Sequence, residues 1–356
     1  MWRKSILFSS MILILILAIS SFVIGCGDDD ETVADPTETA TPKDTATPAQ
    51  MYKIGITKIV THPALDANEQ GFIDKLAELG FVEGENVQYS KESAEGDIPT
   101  ANTIAQMFVD ERVDLIHSIA TPTSQAAVGA TEETGIPVVF GSVTDPVDAG
   151  LIASWESPGA NVTGISDWLE ISSQIEMILS IMPEIGTIGT VYNPGEANAV
   201  VQVEALKEAA PGLGIGEVID AAATSSAEVM TAAQSLVGRV DAIWVGTDNT
   251  VVSAFEALVT VCDENDIPLF AADNDSVKRG AIAALGMDYY QVGMACGEMA
   301  ARILNGESAS DIPAQKIDLA DLEVYVNPSA AESMGITIPE DVLSSADEIV
   351  TAETEE

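Results

Sequence analysis

The sequence predicts an α/β protein of two Rossmann-like parallel-sheet lobes, hinged around a cleft between them. Three observations predict it. Short runs rich in Val and Ile alternate with helical patterns from Tyr52 onward, which is the signature of βαβ units. About eight such units occur, more than one open sheet holds comfortably, and 356 residues suffice for two domains with full cores. Turn and capping residues also gather where the strands end. Taken in order, Ile54-Gly55-Ile56 opens the first strand, and Asp66 is placed to cap a helix with Phe72, Ile73, Leu76 and Leu79 on one face, ended by Gly80. Further strands are expected at Val113–Ile119, Ile136–Phe140, Val162–Ile165, Thr187–Tyr192, Val240–Val245, Ile267–Ala271 and Ala281–Leu285. Helical patterns fill the intervals; one carries Ile171, Ile175, Ile178 and Met182 and is stopped by Pro183. Asn161–Ser166 reads as the junction where one sheet ends and the next begins. Ligands bind beyond the carboxyl ends of strands in open α/β sheets, so two facing lobes place these loops around one cleft.

With 57 Asp and Glu against 14 Lys and Arg, the formal charge of −43 repels nucleic acid, which is excluded as a partner, and anionic lipid headgroups. The N-terminus has the basic start Trp2-Arg3-Lys4 and an apolar run from Ile6 to Ile24, the pattern of an export signal. The run is also close to the roughly 20 residues that span a bilayer. Val23-Ile24-Gly25-Cys26 resembles the lipobox of bacterial lipoproteins, which implies cleavage after residue 25 and lipidation of Cys26; Ile24 is less usual there than Ala or Ser. Both readings put the body outside the cytoplasm. Residues 26–50, rich in Thr, Pro, Ala and acids with the near-repeat Thr39-Ala40-Thr41-Pro42 and Thr45-Ala46-Thr47-Pro48, read as a disordered tether. Cys262 and Cys296 lie in apolar helical stretches that suit buried free thiols, although a disulfide between them is allowed.

The strand-end loops supply the candidate site. Ala120-Thr121-Pro122-Thr123-Ser124 opens a helix with a proline suited to its first turn, and helix N-termini attract anions, so Thr123 and Ser124 are candidates for holding a carboxylate, with Thr121 beside them a candidate ligand contact. Thr144-Asp145-Pro146, Asn193-Pro194-Gly195-Glu196, Asp248-Asn249 and Asp273-Asn274 bring acids and amides to the other strand ends, where converging carboxylates favour an ammonium group. Tyr192 and Trp168 are candidates for stacking on a flat or apolar ligand, and His62 for a hydrogen bond from the cleft rim. His117, inside an apolar strand, reads as a satisfied core histidine. There is no Gly-x-Ser-x-Gly elbow, P-loop or Gly-x-Gly-x-x-Gly fingerprint, and two histidines assemble no metal cluster, so neither an enzyme, a cofactor nor a metal is expected.

Six segments together resemble the ABC-transporter substrate-binding lipoproteins related to the tryptophan and aromatic amino-acid binders, which have the type I periplasmic-binding fold. They are His62-Pro63-Ala64-Leu65-Asp66, Ala120-Thr121-Pro122, Val143 to Leu151, Asn161 to Asp167, Tyr192 to Asn198, and Asp248-Asn249. The resemblance covers residues 52–340. It implies an amino-acid-like ligand, with aromatic amino acids among the candidates, enclosed between the lobes. Its carboxylate would lie near Thr123 and Ser124 and its ammonium near Asp145, Glu196 and Asp248. Permease subunits of an ABC importer and the membrane, through the lipid anchor, are the implied partners; a sensor of the same fold coupled to a signalling receptor is the alternative. Three crossings between lobes are implied as well. Lobe 1 then comprises 51–165 and 286–318, lobe 2 comprises 166–285 and 319–345, and 346–356 is an acidic tail. His117 departs from the aliphatic or small residue expected at its position, and the acidity is not a family trait.

Overall fold

In the computed structural model of the protein, residues 50–318 and 321–351 are described. The leader, Cys26 and the tether up to residue 49 lie outside the described residues, as do 319, 320 and 352–356. Among the described residues no helix is long and apolar enough to cross a membrane.

The Val- and Ile-rich runs fold as strands of two separate sheets. The first collects β1 (Tyr52–Lys58), β2 (Val87–Ser93), β3 (Leu115–Ile119), β4 (Val138–Val143) and β5 (Val162–Ser166). The second collects β6 (Thr187–Tyr192), β7 (Glu217–Ala222), β8 (Ala242–Val245), β9 (Leu269–Ala271) and β10 (Ala283–Gly286). The chain then returns, giving β11 (Gln315–Lys316) to the first sheet and β12 (Glu323–Val326) and β13 (Glu348–Ile349) to the second. The orders are β11-β5-β4-β3-β1-β2 and β13-β12-β10-β9-β8-β6-β7. All pairings are parallel except β10 with β12. Strands β3, β4 and β5 are buried along their whole length, as sheets covered on both faces require.

The cores β2-β1-β3-β4-β5 and β7-β6-β8-β9-β10 repeat one order. In each, the chain reverses direction across the sheet beside its first strand, the switch point where open sheets bind ligands. Helices α1 (Pro63–Glu78), α2 (Ile98–Glu111) and α3 (Thr121–Thr131) pack on the first sheet. The second is served by α4 (Ile171–Ile181), α5 (Ala197–Ala209), α6 (Val229–Gln234), α7 (Asn249–Val252), α8 (Phe255–Glu264) and α9 (Asn274–Lys278). The returning helix α10 (Tyr289–Leu304) lies against α1 at glycine contacts. A Cβ on Gly71 would meet Tyr290 O at 2.1 Å, and one on Gly293 would meet Asn68 O at 2.0 Å. This close approach brings the start of α10 to the ends of the first sheet's strands.

Three expectations are corrected. The cap of α1 is His62, whose Nδ1 accepts the Ala64 N–H at 3.3 Å; Asp66 sits in the first turn and pairs with Lys58. Val162–Ser166 is an interior strand between β4 and β11, one residue longer than the expected Val162–Ile165, so the change of sheet falls after the segment and not within it. Residues 348 and 349, expected in an acidic tail, form an edge strand paired to β12. Strands β2 and β7 were not expected: both lie half-exposed at sheet edges, VQYSKES is mainly polar, and Asp220 interrupts the apolar residues of EVIDAA.

Candidate functional site

Strand-end loops of both sheets meet around a partly enclosed cavity. The first lobe lines it with His62 beyond β1, Ala120 and Thr121 beyond β3, Ser142 and Thr144 at the end of β4, Asp167 beyond β5, and Tyr289 at the start of α10. The second lobe supplies Asn198, Thr247, Asn249 and Asp273. Ala64, Leu65 and Val252 add an apolar wall. Two lining residues hold strained backbones: Ala120 has φ 82° and ψ 157°, and Ser142 has φ 57°. A side chain at positive φ costs on the order of 1–3 kcal/mol, and such strain concentrates where a site needs its geometry.

Polar atoms on the first lobe's rim are left open. Because His62 Nδ1 accepts the Ala64 N–H, the neutral ring carries its proton on Nε2, and that buried N–H has no partner among the described residues. Burial lowers the His62 pKa, which keeps the ring neutral, although the charge of Asp273 acts the other way. Thr121 Oγ1 is buried and unpartnered at the first turn of α3. Asp167 is 4% exposed, and burial raises its carboxyl to about 6. The Tyr289 hydroxyl at 3.1 Å and the Thr144 hydroxyl at 3.2 Å both donate to it and oppose that rise. A carboxylate so placed is in want of a cation.

The second lobe spends its acids on itself. Glu196 is 3% exposed and takes the N–H groups of Asn249 and Thr250 at 3.2 and 3.0 Å. It also accepts the Thr250 hydroxyl at 2.7 Å and the amides of Asn249 and Asn198 at 2.6 and 3.3 Å. Asp248 caps α7 through the Val251 N–H at 2.9 Å and accepts the Asn193 N–H at 2.5 Å. Burial, and then the Glu196 charge, push Asp248 well above the carboxylate range. Asp273 caps α9 through Ser276 at 2.9 Å, yet also reaches the cavity. Asn198 gives its amide N–H to Thr247 O at 2.8 Å and leaves Oδ1 buried without a partner. The lobes touch directly where the Thr144 and Thr247 hydroxyls meet at 3.2 Å, with the Gln202 amide 2.7 Å from Thr247.

Of the residues expected at the site, His62, Thr121, Thr144, Asn198, Asn249 and Asp273 come together around the cavity. The others do not line it. Thr123 gives its hydroxyl to Ile119 O and Ser124 to Ala120 O at 2.8 Å, so neither is free for a carboxylate. Asp145 caps its own turn through the N–H groups of Val147 and Asp148 at 2.9 and 3.0 Å. Asn193 bonds Thr250 and Gly195, and Tyr192 sits beside Asp220. Glu196 and Asp248 form the capping knot just described. Trp168 is away from the cavity, its indole N–H 3.3 Å from Glu170. Asp167, Ser142, Thr247 and Tyr289 were missed. Asp167 directly follows a strand, so the strand-end rule applied to β5 finds it; treating that segment as a junction hid it.

A family model described as ABC transporter substrate binding protein matches residues 53–350. The chain belongs to this family. A tyrosine-binding protein of Clostridioides difficile is 37% identical over 325 residues, which is 91% of each chain. A Streptococcus pneumoniae structure, described as the ABC domain in complex with L-Trp, gives a TM-score of 0.80 at 33% identity, covering 85% of this chain and all of that one. The ligand-free, open structure of a Clostridium difficile substrate-binding protein with adhesive properties gives 0.64 at 40% identity, with the same coverage. The fold is therefore the type I periplasmic-binding fold, and the family is one of binding proteins, not enzymes.

Proposed function

We propose that the protein binds an aromatic L-amino acid between its lobes and presents it to the permease of an ABC importer, with Cys26 as the lipid anchor on the outer face of the cytoplasmic membrane. One observation carries the ligand reading: the cavity sets unpartnered His62 Nε2, Thr121 Oγ1 and Asn198 Oδ1 around a buried carboxylate, Asp167, beside an apolar wall. Buried donors and acceptors without partners cost about 1–3 kcal/mol each, which a matching ligand recovers. Asp167 and Asn198 Oδ1 suit an ammonium group. The first turn of α3 with Thr121 suits a carboxylate through unpaired N–H groups and the helix dipole. Ala64, Leu65 and Val252 suit an aromatic ring, with the His62 N–H and Asp273 available to a ring hydroxyl or indole N–H. The tyrosine-binding relative and the L-Trp complex support the same ligand class.

A ligand that contacts both rims biases the lobes toward closure, and the closed form is the one a permease reads. Calorimetry on the purified protein with L-tryptophan, L-tyrosine, L-leucine and myo-inositol tests this. Binding of the two aromatic amino acids at least tenfold tighter than the others is expected; preference for leucine or inositol contradicts it.

A further inference from the structure

Behind the cavity wall, Asn68 of α1 is fully buried and spans two groups, with Oδ1 2.9 Å from His117 Nε2 and Nδ2 2.8 Å from Ser142 Oγ. His117 lies in the middle of β3, stacked on the Phe72 ring at 4.0 Å and 7°, with Nδ1 2.9 Å from the Val139 carbonyl oxygen. A carbonyl only accepts, so Nδ1 carries a proton. The ring is fully buried, and Glu69, whose charge acts on it, is already paired with Lys58 at 2.8 Å and Lys91 at 3.5 Å. Burial holds the His117 pKa down to about 4, so the ring is neutral at pH 7. A neutral ring protonated on Nδ1 offers a lone pair at Nε2. An amide oxygen facing that lone pair would set two acceptors against each other at 2.9 Å. A half-turn of the Asn68 amide removes the conflict, because the bonds an amide makes decide which end is nitrogen and which oxygen. The turned amide donates from Nδ2 to His117 and accepts at Oδ1 from the Ser142 hydroxyl. Gly141 permits this packing: a Cβ there would lie 2.7 Å from the Asn68 amide.

We propose that His117 acts through Asn68 as a positioning residue that fixes the polarity of Ser142, turning its hydroxyl hydrogen away from the cavity so that only lone pairs face the ligand. Ser142 then accepts from a donor group of the ligand and rejects a second acceptor there. The assignment of that donor as the amino acid's ammonium rests on the function proposed above, since Ser142 and Asp167 line the same cavity; the relay itself does not. A histidine in an apolar strand, where an aliphatic side chain would pack, thus has a use at the site.

The test reads the relay without ligand first. Nitrogen-15 NMR on the histidine-labelled full-length protein reports the state of both ring nitrogens, and with two histidines in the chain the His62→Gln variant assigns the signals. His117 is expected to show a protonated Nδ1 and a hydrogen-bonded, unprotonated Nε2 between pH 8 and 5.5. A proton on Nε2, alone or on both nitrogens, overturns the proposal. The second arm is a double-mutant cycle read by L-tryptophan affinity. Ser142→Ala and Asn68→Leu are each expected to weaken binding roughly tenfold, and the pair by little more than either alone, because both remove one ordered acceptor. Additive losses overturn the relay. Should tryptophan fail to bind the unaltered protein, the amino-acid reading falls and the NMR arm alone judges the relay.

Discussion

The two lobes share one strand order, yet Asp167 beyond β5 and the pair Glu196 and Asp248 beyond β6 and β8 use their lone pairs in opposite ways. Beyond β1, β3 and β5, the first lobe leaves His62 Nε2 and Thr121 Oγ1 without a partner among the described residues and keeps Asp167 buried with two hydroxyl donors and, among the same residues, no paired cation. Beyond β6 and β8, the second lobe ties Glu196 and Asp248 into backbone and side-chain N–H groups. An acid at a strand end is therefore not a ligand group by position alone; what decides is whether the local chain has already used its lone pairs. On the function proposed above, the first lobe would hold the charged head of the ligand, while the acids of the second hold its own helix caps.

Exchanging the roles of the acids is the strongest way to break this contrast. Asp167→Asn should weaken L-tryptophan binding about a hundredfold, because a charge-assisted bond of roughly 2–3 kcal/mol is lost, yet should not lower the melting temperature, since a buried charge goes with it. Glu196→Ala should do the reverse. Stripping several bonds from buried donors should destabilise the protein by about 3 kcal/mol in denaturant titration, while affinity per folded molecule stays within about threefold. If Glu196 instead governs affinity and Asp167 stability, the contrast is broken. The pH dependence sharpens it. With the free Asp167 carboxyl near 6, ligand ammonium binds the deprotonated form, so protons compete as pH falls through that value. Affinity by calorimetry should be about tenfold weaker at pH 5 than at pH 7.5; a flat profile removes Asp167 from the ammonium site. The raised carboxyl also costs stability once ionised, so the ligand-free protein should lose part of its stability as pH rises from about 4 to 6. Thr121→Val should weaken binding by roughly tenfold with unchanged melting temperature, because its hydroxyl has no partner to lose in the free protein. The smallest effect belongs to the lobe contact. Thr247→Val removes the 3.2 Å bond to Thr144 and the 2.7 Å bond from Gln202 and should shift affinity by about threefold.

Periodicity made most of the fold legible. Buried parallel strands such as β3 and β4 are mainly apolar runs, and αβ alternation gives their order along the chain. The edge strands β2 and β7 escaped because an exposed edge needs no apolar run, and β13 because the five acids of 346–356 outweigh Ile349 and Val350. At the site, the loops were legible and the roles of their residues were not. Sequence places Thr121 and Thr123 alike at the start of α3, and only the three-dimensional turn sends Thr123 back to Ile119 O while Thr121 faces the cavity. Tyr289 was invisible for another reason: it reaches Asp167 across 122 positions of sequence, through the glycine-lined crossing of α10 over α1.

The most direct test of the contrast between the rims is a crystal structure of the protein with L-tryptophan. The account predicts the amino group against Asp167 and Asn198, the carboxylate at Thr121, and Glu196 and Asp248 still bonded to the caps of the second lobe. An amino group seated on Glu196 or Asp248, with the first lobe's rim left empty, would contradict it.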